Sequence, residues 1–320
     1  MKAAVRSSYG PPDILSIREI AKPVAKDNEL LVKVHAATVN RTDCAILWGK
    51  PFLMRFFTGL FSPALQITGT DFAGQVEAVG KKVLNFKSGD RVWGFKGFGT
   101  ASHAEYLTIA ANDVVLGIPD SISYEAAAAA AEGAFYAWSF VKRLHINPGD
   151  KVLIYGASGA IGSAAVQLFR HFGAEVTAVC SAKNFDLLRS LGVERVIDYM
   201  TEDFTKSNQK YRFIMDAVGK CRFARCKPLL LEHGTYTSTE GMELFYLPLI
   251  TRLFGNKKVI FSFPDKPKAG LEFIRSLLEK GRFQPVIDRR YPLEGIADAF
   301  NYAASGEKTG NIILKIGGES

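Results

Sequence analysis

Over the first third of the chain, hydrophobic and polar positions alternate in short runs. Leu30–Val34, Gly74–Val79 and Arg91–Gly94 read as strands, with turn-forming glycine, proline and asparagine between them. The pattern changes near Pro119. From Ser123 to Leu144 an alanine-rich stretch predicts a helix, with Ser123 as its N-cap and Glu125 in its first turn. A buried-type strand, Lys151–Tyr155, comes next, then a glycine-rich turn, a helix over Ser163–Phe172 and a second strand, Glu175–Cys180. The alternation continues through a helix at Asn184–Leu191 and strands at Arg195–Ile197 and Phe213–Asp216. Helical spacing returns at Gly270–Lys280 and Leu293–Ala304, and Asn311–Ile316 closes the chain as a strand.

Strands alternating with helices through the middle of a chain predict a doubly wound parallel sheet, an α/β fold. The mixed ends predict a β-rich domain assembled from both. The boundaries fall at 1–122 and 266–320 for the β-rich domain and 123–265 for the inserted one. A chain of 320 residues, 48% hydrophobic and 22% charged, is long enough to bury two cores and too apolar to be disordered. The net charge of +8 favours anionic ligands, but its lysines and arginines are scattered, so nucleic acid is not expected as a partner. No run is long enough to span a bilayer and the first residues carry no secretory pattern. Four irregularly spaced cysteines do not make a disulfide framework, which points to a reducing, cytoplasmic setting.

The sharpest chemical signal is Tyr155-Gly156-Ala157-Ser158-Gly159-Ala160-Ile161-Gly162, between a strand and a helix. Small residues at 157, 159 and 162 follow the spacing of a pyrophosphate-binding turn. Gly159 admits a phosphate to the backbone, Gly162 lets helix and strand approach, and the N–H groups of Ser158, Ala160 and Ile161 lie at the helix start, where an anion is favoured. A dinucleotide is therefore expected. Val179-Cys180-Ser181-Ala182-Lys183-Asn184 carries no acid at the end of the second strand to accept bonds from ribose hydroxyls. Ser181, Lys183 and, after the next strand, Tyr199 suit a 2′-phosphate instead, so NADPH is the expected cofactor.

Several motifs along the chain resemble the medium-chain dehydrogenase/reductase superfamily in its zinc-free, quinone oxidoreductase-like branch, which includes zeta-crystallin and the alkenal/enone reductases. They are Val39-Asn40-Arg41-Thr42-Asp43, Gly69-Thr70-Asp71-Phe72-Ala73-Gly74, Gly89-Asp90-Arg91-Val92, Ala104-Glu105-Tyr106, the phosphate turn, the stretch from Leu188 to Tyr199, and Asp216-Ala217-Val218-Gly219. The resemblance implies a Rossmann sheet inserted in a GroES-like catalytic domain, with Val218 among the cofactor contacts. It also implies that no metal is bound. Zinc-dependent members have a Cys where this chain has Asn40, a His-Glu pair in place of Thr70-Asp71, and a third ligand near Ala131–Gly133, where no Cys occurs. The histidines at 35, 103, 145, 171 and 233 show no ligand spacing with the cysteines.

By the same resemblance Asn40 stands beside the nicotinamide, where its amide would hold a substrate carbonyl. Thr42 takes the place of a relay hydroxyl, Asp43 braces the turn, and Tyr136 replaces a threonine facing the nicotinamide. Without a Lewis acid, hydride transfer to a quinone or to the C=C of an α,β-unsaturated carbonyl is the expected reaction. A cofactor-binding structural protein with little turnover and a trans-enoyl thioester reductase are the alternatives. The apolar stretch Phe52–Phe61 suits the mouth of a cleft for a small hydrophobic substrate, or equally a core or subunit contact. Lys258–Phe263 matches the last strand of the cofactor domain, through which relatives form homodimers.

Overall fold

The computed structural model describes residues 1–97, 99–261 and 264–317, with Met242 by its backbone alone. The chain divides into two compact units, Met1–Glu132 together with the chain from Lys266 onward, and Gly133–Asp265.

The first unit is built on a seven-stranded sheet. Its order is Ile287–Pro292, Asn311–Lys315, Glu29–Val39, Asp71–Val79, Arg91–Phe95 and Val115–Gly117, with Tyr106–Ala110 also paired to Glu29–Val39. Both chain ends meet here, since Ile312, Ile313 and Leu314 pair antiparallel with Val39, Thr38 and Ala37. That pairing extends the strand expected at Leu30–Val34 to eleven residues, Glu29–Val39, through Ala36 and Ala37, whose own β-propensity is low. Val32, Val34, Leu47, Phe72, Val92, Phe300 and Leu314 fill its core.

The long helix expected from Ser123 is instead two, Tyr124–Ala129 and Glu132–Val141. Ser123 Oγ caps the first through the Ala126 N–H at 3.1 Å, as its sequence suggested. Ala130 leaves helical geometry at φ −92°, ψ 2°. The short helix packs on Glu29–Val39, Asp71–Val79 and Asn311–Lys315, its Tyr124 ring stacked on His35 at 4.4 Å. The first unit therefore runs on to Glu132 rather than stopping at 122.

The second unit is a six-stranded parallel sheet. In space the strands run Arg195–Asp198, Glu175–Cys180, Lys151–Tyr155, Tyr211–Asp216, Leu230–Ser238 and Lys258–Val259. Counted from Lys151–Tyr155 this is the order 3-2-1-4-5-6, the doubly wound arrangement whose direction reverses between the first and fourth strands. Leu153, Val179, Ile197, Tyr211, Ile214 and Tyr236 are buried within it. The last strand spans Lys258–Val259, and positions 262 and 263 of the stretch expected to form it lie outside the described residues. Among the described residues no helix is long and apolar enough to cross a membrane.

Phe300 is fully buried in the first core, its ring edge-on to His103 at 5.8 Å, whereas Leu84 is 96% exposed. Phe300→Ala should lower the unfolding free energy by about 3–5 kcal/mol. Leu84→Ala should stay within about 0.5 kcal/mol of the parent, both read by chemical denaturation.

Candidate functional site

In the second unit the phosphate turn leaves Tyr155 at the point where the sheet reverses direction. Gly156 takes the left-handed φ of +74°, and a Cβ there would lie 2.7 Å from Val218 Cγ1. The spacing rule placed the first small residue at Ala157, but the position needing glycine is Gly156; Ala157 is simply buried. Gly159 precedes the twelve-residue helix Ala160–His171 as its N-cap, and a Cβ on it would meet nothing nearer than 3.6 Å. Its small size is not demanded by the chain itself, which fits a backbone kept open to a phosphate. Gly162 is demanded: a Cβ would come within 2.1 Å of Gly156 O. Together they present the N-terminus of the helix, with its free N–H groups, to an anion.

Two neighbouring loops complete this edge. Asn184 Nδ2 donates to Ser158 Oγ at 3.0 Å and so ties the Ser181–Asn184 turn to the phosphate turn. Ser181 is half-buried and Lys183 exposed. Tyr199 is 48% exposed beside Tyr155, and the two line a cavity of about 280 Å³ with Phe204 and Arg225. On the other side Asp216 organises the loop that carries Val218. Its Oδ1 accepts the N–H groups of Val218 at 3.0 Å and Gly219 at 2.9 Å, and Oδ2 that of Cys221 at 2.5 Å. Burial pushes this carboxyl up to about 6 despite the three donors. The nine residues expected to bind a dinucleotide all lie in this unit, on the turns that follow its strands or, for Ala160, Ile161 and Gly162, on the first turn of the helix Ala160–His171. Gly156 and Asp216 belong with them. Asp216 stands in a quoted motif, but its role shows only once the loop closes around it.

In the first unit Asn40 caps the helix Arg41–Trp48. Its Oδ1 accepts the Asp43 N–H at 2.9 Å, while Asp43 Oδ2 accepts the Asn40 N–H at 3.0 Å, a reciprocal capping box. The Asn40 amide nitrogen donates to Glu132 Oε2 at 2.7 Å and Thr70 Oγ1 at 2.9 Å, and Thr70 Oγ1 donates to the same Glu132 oxygen at 2.6 Å. Both amide hydrogens expected to hold a substrate carbonyl are thus turned inward. Thr38 donates to Asp71 through its N–H at 2.7 Å and its hydroxyl at 2.5 Å. Thr42 is half-buried on the first turn of the same helix. Tyr136 belongs to the second unit, half-buried with its ring 5.7 Å from Phe135.

Asp43, Asp71 and Glu132 are all buried. Burial, then Glu132 and Asp71, hold the Asp43 carboxyl well above the usual range; burial and then Glu132 push Asp71 up to about 7. His103, bonded to Thr68 Oγ1 and the Thr38 carbonyl, is pushed by burial down to about 4, so it is neutral at physiological pH. Glu132 carries no local sequence signal, because it sits in an alanine-rich stretch and its partners Asn40 and Thr70 lie 92 and 62 positions away. Among the described residues no group of three or more His, Cys, Asp or Glu is arranged to hold a metal ion.

A doubly wound unit with this turn, joined to a GroES-like unit, defines a nicotinamide-dependent oxidoreductase. Residues 26–120 match the alcohol dehydrogenase GroES-like domain and residues 191–314 the zinc-binding dehydrogenase family. The chain is 32% identical, over 98% of both sequences, to the chloroplast envelope quinone oxidoreductase homolog of Arabidopsis thaliana. It is 30% identical to the NADPH-dependent alkenal/one oxidoreductase of the same plant, covering 98% of this chain and 79% of that one. The quinone oxidoreductase structure from Coxiella burnetii superposes with a TM-score of 0.87 at 25% identity over 99% of both chains. The chain belongs to the medium-chain dehydrogenase/reductase family, in its quinone oxidoreductase-like branch.

Gly162→Ala forces a methyl group onto Gly156 O, an overpacking of about 1–3 kcal/mol. It should weaken cofactor binding measurably in a nicotinamide fluorescence titration. A second prediction concerns Asp71. A carboxyl whose pKa is higher folded than unfolded binds more protons folded between the two values, so stability falls as pH rises from about 4 to about 7. His103 works in the opposite sense below 6.5, so the test is a difference. Asp71→Asn should gain stability relative to the parent across that window in denaturation curves taken at successive pH values. A constant offset would overturn the assignment.

Proposed function

We propose that this chain is an NADPH-dependent, metal-independent reductase that transfers hydride to a quinone or to the C=C of an α,β-unsaturated carbonyl. The observation that carries the reading is the mutual bonding of Asn40, Thr70 and Glu132. Where zinc-dependent members of the family place metal ligands, this chain has a hydroxyl, an amide and a carboxyl group hydrogen-bonded to one another. A donor set spent in this way suits a substrate that is already electrophilic. The names of the two plant relatives support the substrate class.

NADPH, when bound, supplies the hydride. The helix start at Gly159–Gly162 would hold the pyrophosphate, and Ser158 and Val218 would flank it. Ser181, Lys183 and Tyr199 support a 2′-phosphate over a free ribose hydroxyl, since no acid ends the Glu175–Cys180 strand. Hydride adds at the β-carbon, the carbonyl electrons move onto oxygen as an enolate, and a proton closes the α-carbon. Asn40 and Asp43 fix the start of the Arg41–Trp48 helix, and Thr42 offers the hydroxyl for the developing oxyanion or the proton. By the family resemblance Tyr136, on the second unit, would narrow the space beside the nicotinamide. The short strand Lys258–Val259 pairs on one side only among the described residues, which supports a homodimer. Four free, buried cysteines support a reducing, cytoplasmic compartment.

The test is NADPH oxidation by purified protein, with a chelator present, against a quinone and a short-chain enone, and with NADH in parallel. Turnover that survives the chelator and prefers NADPH is the expected result. Tight NADPH binding with no turnover on either acceptor would leave a cofactor-binding protein instead, and inhibition by the chelator would sink metal independence.

A further inference from the structure

Glu132 is the last residue of the first unit and is only 3% exposed. Burying a carboxylate is costly unless donors surround it. Glu132 accepts from the Asn40 amide at 2.7 Å and from the Thr70 hydroxyl at 2.6 Å, both on Oε2. The Asn40 amide has one orientation that satisfies both its ends. Turned over, its oxygen would face the Glu132 carboxylate and its nitrogen the Asp43 N–H, two repulsions in place of two bonds. The buried carboxyl group of Glu132 therefore orients an amide and a hydroxyl.

We propose that Glu132 is a positioning residue of the reductase site, whose carboxylate locks the Asn40 amide and the Thr70 hydroxyl in a single arrangement and so sets the geometry of the Arg41–Trp48 helix start that carries Thr42. This inference rests on the proposed reading of the first unit as the catalytic one. The groups that share the patch set how it titrates. Asp43 and Asp71 are its carboxyl neighbours, Arg6 interacts electrostatically with Asp43, and His103 bonds to the Thr38 carbonyl as a neutral ring. The Glu132 charge raises both aspartates. Removing the charge while keeping the acceptor should thus let Asp71 ionise at lower pH with the amide still in place.

Two variants separate the roles. Glu132→Gln keeps a carbonyl oxygen for Asn40 and Thr70 and loses the charge, whereas Glu132→Ala loses both. Expected for Glu132→Gln is a kcat within about threefold of the parent, with any neutral limb of the pH–rate profile moved to lower pH. Glu132→Ala should lose kcat about a hundredfold with the KM for NADPH unchanged, because the cofactor residues lie in the other unit. An infrared pH titration of the protonated-carboxyl stretch, made on the resting protein, should show the band of the buried carboxyls vanishing at lower pH in Glu132→Gln than in the parent. Equal losses of kcat in both variants with an unmoved infrared midpoint would reduce Glu132 to a folding role and overturn the proposal, as would full activity in Glu132→Ala. If the parent itself turns over no acceptor, the reductase reading fails, and the infrared arm alone then decides whether Glu132 sets the state of the patch.

Discussion

Three carboxyl groups, those of Asp43, Asp71 and Glu132, are buried in the first unit, and the hydrogen bonds that hold them come from hydroxyls, an amide and backbone N–H groups. Such a patch is costly to bury, and Asp43 Oδ1 accepts no hydrogen bond among the described residues, so the elements that supply the other donors must converge with hydrogen-bond precision. Thr38 reaches Asp71 from the end of one strand, Asn40 and Asp43 cap one another at the next helix, and Thr70 and Glu132 close the ring. The strand carrying Thr38 is held to its full length by Asn311–Lys315, from the opposite end of the chain. The placement of the polar patch and the joining of the two chain ends are therefore one structural event.

The second unit meets a different constraint, the close approach of a strand, a turn and a helix. Its turn combines a left-handed residue at Gly156, open space above Gly159 and forced closeness at Gly162. Gly156 and Gly162 answer separate steric demands, whereas Gly159 leaves space open; the spacing rule, which counts Ala157 as its first small position, passes over Gly156. Asp216 performs the same service on the adjacent strand, collecting three backbone donors so that Val218 meets Gly156. Raised carboxyl pKa values thus occur in both units and have the same origin: burial outweighs the hydrogen bonds that organise a loop or a helix start. In both places the carboxylate shapes the backbone.

Family membership adds a contrast in donor chemistry. The matched domain models take their names from alcohol and zinc-binding dehydrogenases, yet Asn40, Thr70 and Glu132 form a closed hydrogen-bonded set. Family membership fixes the scaffold, whereas the reactions it suits depend on such side chains, because fold and chemistry are specified by different residues.

What the sequence determined by itself was everything encoded over short range. Hydrophobic periodicity marked the strands and helices of the doubly wound sheet, and turn chemistry marked the tight strand-to-helix turn at Gly159–Gly162. Ser123 announced its cap, and the lack of an acid after Cys180 bore on cofactor choice. The tertiary structure alone decided matters that depend on residues distant in the chain. It extended Glu29–Val39 through weak strand formers by pairing them with Asn311–Lys315, and it broke the alanine-rich helix at Ala130, where one part packs on the first unit's sheet. It also brought Glu132 to Asn40 across 92 positions of sequence. Local propensity acts within a few residues, whereas the orientation of an amide is set by whichever donors and acceptors folding brings within 3 Å of it.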